Sequence, residues 1–159
     1  MEKFTFFWKS HSPFSQWYPV KFIVNGVKFN CAEQYMMYMK AKLFKDEDIA
    51  EKILKAKSPG EQKKLGRKVK NFNRKKWESA CKKFVYDGNY SKFTQNEELK
   101  EILLKTKGTT LVEASPVDRI WGVGLAEDDS RIKNRGSWRG TNWLGEVLTQ
   151  LREDLLKVH

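Results

Sequence analysis

The sequence predicts an α+β fold, a single helix-rich domain over residues 1–159 with a small β-hairpin sheet, and three observations carry that prediction. The chain has 159 residues and 40% apolar content, the usual span of one domain with enough apolar material for a core. Asn25-Gly26 stands between two apolar runs, the strongest short-range hairpin signal. Apolar residues recur at helical spacing over most of the remainder, interrupted by caps and prolines rather than by repeats or low-complexity linkers.

The aromatic-rich run Phe4 to Trp8 reads as a strand, and Phe22 to Phe29 as the hairpin. From Ala32 to Phe44, the residues Ala32, Tyr35, Met36, Met39 and Leu43 follow helical spacing. Asp46 to Lys55 starts a second helix. Ser58-Pro59-Gly60-Glu61 supplies a cap, a first-turn proline and an acid at the third helical position, so a basic helix begins there, with Lys63, Lys64, Arg67, Lys68 and Lys70 around Leu65 and Val69. Asn73 caps the next helix, whose apolar stripe is Trp77, Ala80, Cys81, Phe84 and Val85. Asn96 to Lys105 is amphipathic and ends before Gly108, Thr109 to Glu113 is β-prone, and Trp143 to Leu156 closes the chain on a packed helix through Leu144, Val147, Leu148, Leu151 and Leu155.

The formal net charge of +11 is concentrated in one place. Lys52 to Lys83 holds thirteen Lys or Arg against Glu61 and Glu78, and the rest of the chain is neutral overall. A local excess of this kind suits either a solvated helix face or contact with phosphates and a nucleic acid backbone. No stretch approaches the roughly 20 apolar residues of a membrane helix, and the first residues lack a signal-peptide core, so a cytoplasmic protein with no membrane partner is expected. Cys31 and Cys81 fit buried reduced thiols better than a disulfide. With two Cys and two His at unrelated spacings, no metal site is expected.

Two runs have the composition of site-building loops. Ser115 to Leu125 combines a turn-forming Ser-Pro, an acid, a large aromatic and the glycines Gly122 and Gly124; Trp138 to Gly145 follows with Asn142 at a helix start. On the helix after the hairpin, Glu33, Met37, Lys40 and Phe44 form a second stripe beside the apolar one. Glu33 and Lys40 then point the same way about 10 Å apart along the axis, suited to flanking one ligand. Ordinary surface charges would give the same spacing.

The runs Cys31 to Ala41, Arg74 to Glu78, Lys92 to Asn96, Asp118 to Gly124 and Gly140 to Gly145 together resemble the YbiA-like family, also called the NADAR family, over nearly the whole chain. The resemblance implies a helix-rich α+β fold and an N-glycosidase that needs no cofactor. Its substrates would be phosphorylated ribosylamines, namely ribosylaminopyrimidine phosphates of early riboflavin biosynthesis, or ADP-ribose attached to guanine in nucleic acid. Both join an exocyclic amine of a flat heterocycle to the anomeric carbon of a phosphorylated ribose. Glu33 would act as acid and base and Lys40 as nucleophile through a Schiff base; the competing route is direct hydrolysis supported by Asp118 or Glu33. Lys40 would need desolvation to lower its pKa.

Trp77 and Trp121 match aromatic positions of the family and suit either stacking on the heterocycle or packing. Asp118 suits ribose hydroxyls or the capping of its own turn. Gly122 and Gly124 would admit a phosphate or sugar to backbone amides, Asn142 and Gly145 would frame a helix start, and Arg119 would meet phosphate. Between the closing motifs, Ala126 to Trp138 departs from the family's commonest pattern and would bear on substrate choice; Asp128-Asp129 there reads as a hydrated loop rather than a magnesium site. The alternative from another class is a non-catalytic domain that binds nucleic acid or ADP-ribose through Lys52 to Lys83 and aromatic loops.

Overall fold

The structure is a computed structural model and describes residues 1–158. In chain order the elements are β1 (Phe4–Phe7), β2 (Phe22–Val24), β3 (Val27–Phe29), α1 (Ala32–Leu43), α2 (Glu47–Lys55), α3 (Pro59–Gly66), α4 (Arg74–Thr94), α5 (Glu97–Leu104), β4 (Thr110–Glu113) and α6 (Trp143–Lys157), with short 3-10 turns at Ser130–Lys133 and Arg135–Ser137. The fold class is α+β. Contacts divide the chain into two units: Gln16–Asn96, and Met1–Ser15 together with the chain from Glu97 on.

In the unit Gln16–Asn96 the hairpin forms as its turn chemistry dictates. Asn25 (φ 50°) and Gly26 (φ 79°) both occupy the left-handed region, which a two-residue turn of this hand requires, and Phe22 then pairs with Phe29. Phe22, Phe29 and Tyr35 make a core cluster against Tyr38, Leu54 and Phe84. Helix α1 packs on α2, α3 and α4. Enclosure from three sides buries every residue from Ala32 to Met37, so this half of the helix lacks the one-sided stripe that its spacing predicts, and Glu33 and Gln34 are buried with the apolar residues. Close approach requires glycine twice: a Cβ at Gly66 would collide with Met37, and one at Gly88 would lie 2.6 Å from Tyr35.

The caps at Ser58 and Asn73 form, accepting from Glu61 N–H (3.2 Å) and Lys76 N–H (2.9 Å). The basic helix is shorter than its pattern. It stops at Gly66, because Val69 turns inward and the Lys70 amide is taken by Asp46 (2.9 Å), so Arg67, Lys68 and Lys70 lie on the connection to α4.

In the other unit β1 pairs in parallel with β4, Phe4 opposite Thr110 through Phe7 opposite Glu113, and α6 packs on β4 and α5. Val112, Ala114, Val123, Leu125 and Ile132 form its buried cluster, covered by Phe4, Phe6 and Trp138. Among the described residues no helix is long and apolar enough to cross a membrane.

Candidate active site

The hairpin feeds directly into α1, whose start is fixed by side chains. Asn30 N–H donates to Gln34 Oε1 (2.7 Å), and Gln34 Nε2 donates to the Ile53 carbonyl (3.0 Å). Glu33 N–H donates to the Gln16 carbonyl (2.9 Å), and only 5% of Glu33 is exposed. The Cys31 thiol donates to Gln62 Oε1 (3.1 Å); burial pushes it up to about 11, so it is a neutral, unreactive thiol at ordinary pH.

Two turns along α1, Lys40 is half-buried with its Nζ 4.7 Å from the centroid of Phe72 and 5.7 Å from that of Trp77. Burial lowers its pKa below the ordinary lysine value; the Glu33 carboxylate pulls it up and the Arg67 guanidinium pushes it down. Trp77, half-buried on α4, lies 6.1 Å from Phe84 at 35°. Helix α1 thus carries a buried acid and, two turns on, a half-buried amine beside two aromatic rings.

Asp118, Arg119, Trp121, Gly122, Gly124, Asn142 and Gly145 belong to the other unit, where the two motif loops zip onto each other. Asp118 Oδ1 accepts from Ile120 N–H (2.9 Å) and Trp121 N–H (2.8 Å), the turn-capping role open to an aspartate. Arg119 is exposed and its carbonyl accepts from Thr141 N–H (2.9 Å). Trp121 is half-buried, edge-on to Trp143 at 5.7 Å and 82°.

The glycine amides expected to meet phosphate are already engaged in part. Gly124 N–H donates to the Asp118 carbonyl (3.1 Å), and its φ of 70° serves this turn. The Gly122 carbonyl accepts from Asn142 N–H (3.0 Å), while the Trp143 and Leu144 amides at the start of α6 donate to the Ile120 and Trp121 carbonyls. Asn142 is fully buried. Its Oδ1 accepts from Glu113 N–H (3.0 Å) and its Nδ2 donates to the Leu111 carbonyl (3.0 Å), bridging β4 to α6, and a Cβ at Gly145 would collide with that same carbonyl. Asp129 is tied to Arg131 by a 2.6 Å ion pair that lowers its pKa to about 2. Among the described residues no group of three or more His, Cys, Asp or Glu is placed to hold a metal.

The profile of the NADAR domain matches residues 6–156. The chain belongs to the NADAR family. This NADAR protein is 44% identical over 168 residues to Protein irg-1 of Caenorhabditis elegans (96% of this chain, 79% of that one). It is 44% identical over 146 residues to N-glycosidase R617 of Acanthamoeba polyphaga mimivirus (89% and 86%). Against N-glycosidase YbiA of Escherichia coli K12 the identity is 34% over 144 residues (91% and 79%). The NMR structure of E. coli YbiA superposes with a TM-score of 0.80 at 30% identity, covering 99% of this chain and 88% of that one. The NADAR protein is accordingly a glycosidase, a hydrolase of N-glycosyl bonds.

Three features of the unit Gln16–Asn96 have no local signature in the sequence. Phe72, on the connection between α3 and α4, faces Lys40 although nothing in its spacing marks it. Lys92, in the Lys92 to Asn96 run, is fully buried near Tyr18 and Phe93, and its pKa is lowered to about 7 by burial against a counteracting pull from Cys31; nothing in the residue types of that run marks the lysine as buried. A cavity of about 460 Å³ opens beside the hairpin between Phe22, Phe29, Leu54, Lys21, Lys28 and Gln95. Its Gln95 amide is occupied in both directions by Ile23, and neither Glu33 nor Lys40 lines it.

Proposed function

We propose that this NADAR glycosidase cleaves the bond between ribose C1 and the exocyclic amine of a flat heterocycle, using Glu33 as acid and base and Lys40 as nucleophile. The observation that carries the reading is the setting of Lys40: an amine held against two aromatic rings, its pKa lowered by burial, within the field of a buried carboxylate. Lowering the pKa enlarges the neutral fraction that attacks carbon.

Glu33 protonates the ring oxygen, the furanose opens, and C1 becomes an imine to the heterocycle's nitrogen. Lys40 Nζ adds to C1. Proton transfer to the exocyclic nitrogen then breaks its bond to C1, expels the heterocycle as its free amine and leaves C1 doubly bonded to Nζ. Water directed by Glu33 adds to this Schiff base, releasing the open-chain phosphorylated ribose and restoring the lysine. Direct hydrolysis is the second route. With Asp118 Oδ1 holding two amides, its carboxylate role would fall to Glu33.

Two substrates share the required bond, a ribosylaminopyrimidine phosphate and ADP-ribose on guanine in nucleic acid. The second is favoured by the exposed cations Lys63, Lys64, Arg67, Lys68, Lys70, Arg74, Lys75 and Lys76, in the unit that carries Lys40. The deciding experiment incubates the protein with each substrate and follows release of free base or sugar. Release is expected from at least one, with salt-sensitive KM for the oligonucleotide alone; release from neither would overturn the proposal. A binding-only domain would instead retain oligonucleotide affinity without turnover.

A further inference from the structure

A large aromatic side chain left in solvent next to a candidate nucleophile calls for an explanation. Phe72 is 46% exposed, and among the aromatic residues of its unit only Tyr90 is as open. The backbone around it is pinned rather than loose. Asp46 Oδ2 accepts from Lys70 N–H (2.9 Å) while its Oδ1 accepts from Ile49 N–H (3.2 Å), so one carboxylate ties the connection to the start of α2. These hydrogen bonds, led by that from Lys70, hold the Asp46 carboxyl below its usual range, so it stays ionised and the clamp persists. Asn71 adopts φ 61°, a turn conformation that asparagine tolerates. The Phe72 ring rests 5.5 Å from Phe44 at 56°, and the Lys40 ammonium lies over it.

We propose that Phe72 is a substrate-binding residue, the ring on which the flat leaving heterocycle stacks beside Lys40, with Trp77 as the second ring of the same cluster. The inference rests on the reading of Lys40 as nucleophile and names the residue that selects its leaving group. Without substrate, the two rings stabilise the ammonium form of Lys40 by cation–π attraction. An arriving heterocycle takes the ring face for itself and withdraws that stabilisation, so binding of the correct flat base frees the amine for attack. A leaving group without an aromatic face would not do this.

The test compares Phe72→Leu, Phe72→Met and Phe72→Tyr by kinetics on whichever of the two substrates the wild-type protein cleaves, and by tryptophan-fluorescence titration with the matching free base, guanosine or a diaminopyrimidine. Leu and Met keep an apolar contact to Phe44 without a ring, and either serves if the other folds poorly. The expected result is a roughly tenfold rise in KM and in the free-base Kd for both, with Phe72→Tyr within about twofold of wild type. Unchanged KM and Kd in a folded Leu or Met variant would overturn the proposal. Lys40→Arg is assayed alongside: full turnover by it would refute the lysine reading, and Kd would then judge Phe72 independently.

Discussion

The two units engage their polar residues in different ways. Around α1, Glu33 and Lys92 are buried and Lys40 is half-buried beside two rings, and burial lowers the pKa of both lysines. Along Ser115 to Gly145, the most motif-like stretch of the sequence, the polar groups are largely engaged by neighbouring backbone: Asp118 by two amides, Asn142 by the edge of β4 that faces away from β1, the first amides of α6 by Ile120 and Trp121. A glycine- and acid-rich motif can therefore be architecture. The sparser stripe on α1 holds Lys40, whose pKa is lowered by burial, on the same helix as the buried Glu33.

The largest effect expected from this contrast is on turnover. Glu33→Gln and Lys40→Arg should each lower kcat by about 10²–10⁴ while the circular dichroism spectrum is retained. Wild-type kcat in either would break the comparison at its active side. Next comes Asn142→Ala, which strips the Glu113 amide and the Leu111 carbonyl of their partner and should cost about 2–4 kcal/mol in urea denaturation, with turnover per folded molecule preserved. Loss of turnover without loss of stability would instead give Asn142 a part in the chemistry.

Stability should also depend on pH through Lys92. Its folded pKa of about 7 lies below the unfolded value of about 10.4, so between them the unfolded chain binds more protons and stability rises with pH. The thiol of Cys31, raised to about 11, acts in the opposite sense above its unfolded value of about 8.5. Denaturation at pH 7 and pH 8.5 isolates the lysine: wild type should be more stable at the higher pH and Lys92→Met should lose that dependence. The smallest effect is predicted for Asp118→Asn, which keeps the Oδ1 acceptor and should leave turnover within about threefold. A hundredfold loss there would return carboxylate chemistry to the loop.

Local signals were legible because local physics decides them. The Asn25-Gly26 turn, the Ser58 and Asn73 caps and the helical spacing of Trp143 to Leu156 each depend on residues a few positions apart. The parallel pairing of β1 with β4 joins positions more than a hundred residues apart and has no local signature. Arg67 to Lys70 read as helix because their spacing is helical; the Asp46 carboxylate, from another part of the chain, captures the Lys70 amide instead. At the candidate site, the stripe placing Glu33 with Lys40 followed from the α-helical period, whereas Phe72 became visible only when the fold brought its ring under the Lys40 amine. The same limit applies to Asp118 and Asn142. Their residue types suit both a ligand and a turn, and only the hydrogen bonds of the folded chain identify which backbone groups they hold.

The central claim, that Lys40 attacks the anomeric carbon, is tested most directly by borohydride reduction during turnover, followed by mass spectrometry of the digested protein. A Schiff base is reduced to a stable secondary amine, so the account predicts a phosphorylated pentityl adduct on Lys40 in the wild-type protein and none in Lys40→Arg. Turnover with no adduct, or an adduct confined to another lysine such as Lys92, would contradict it.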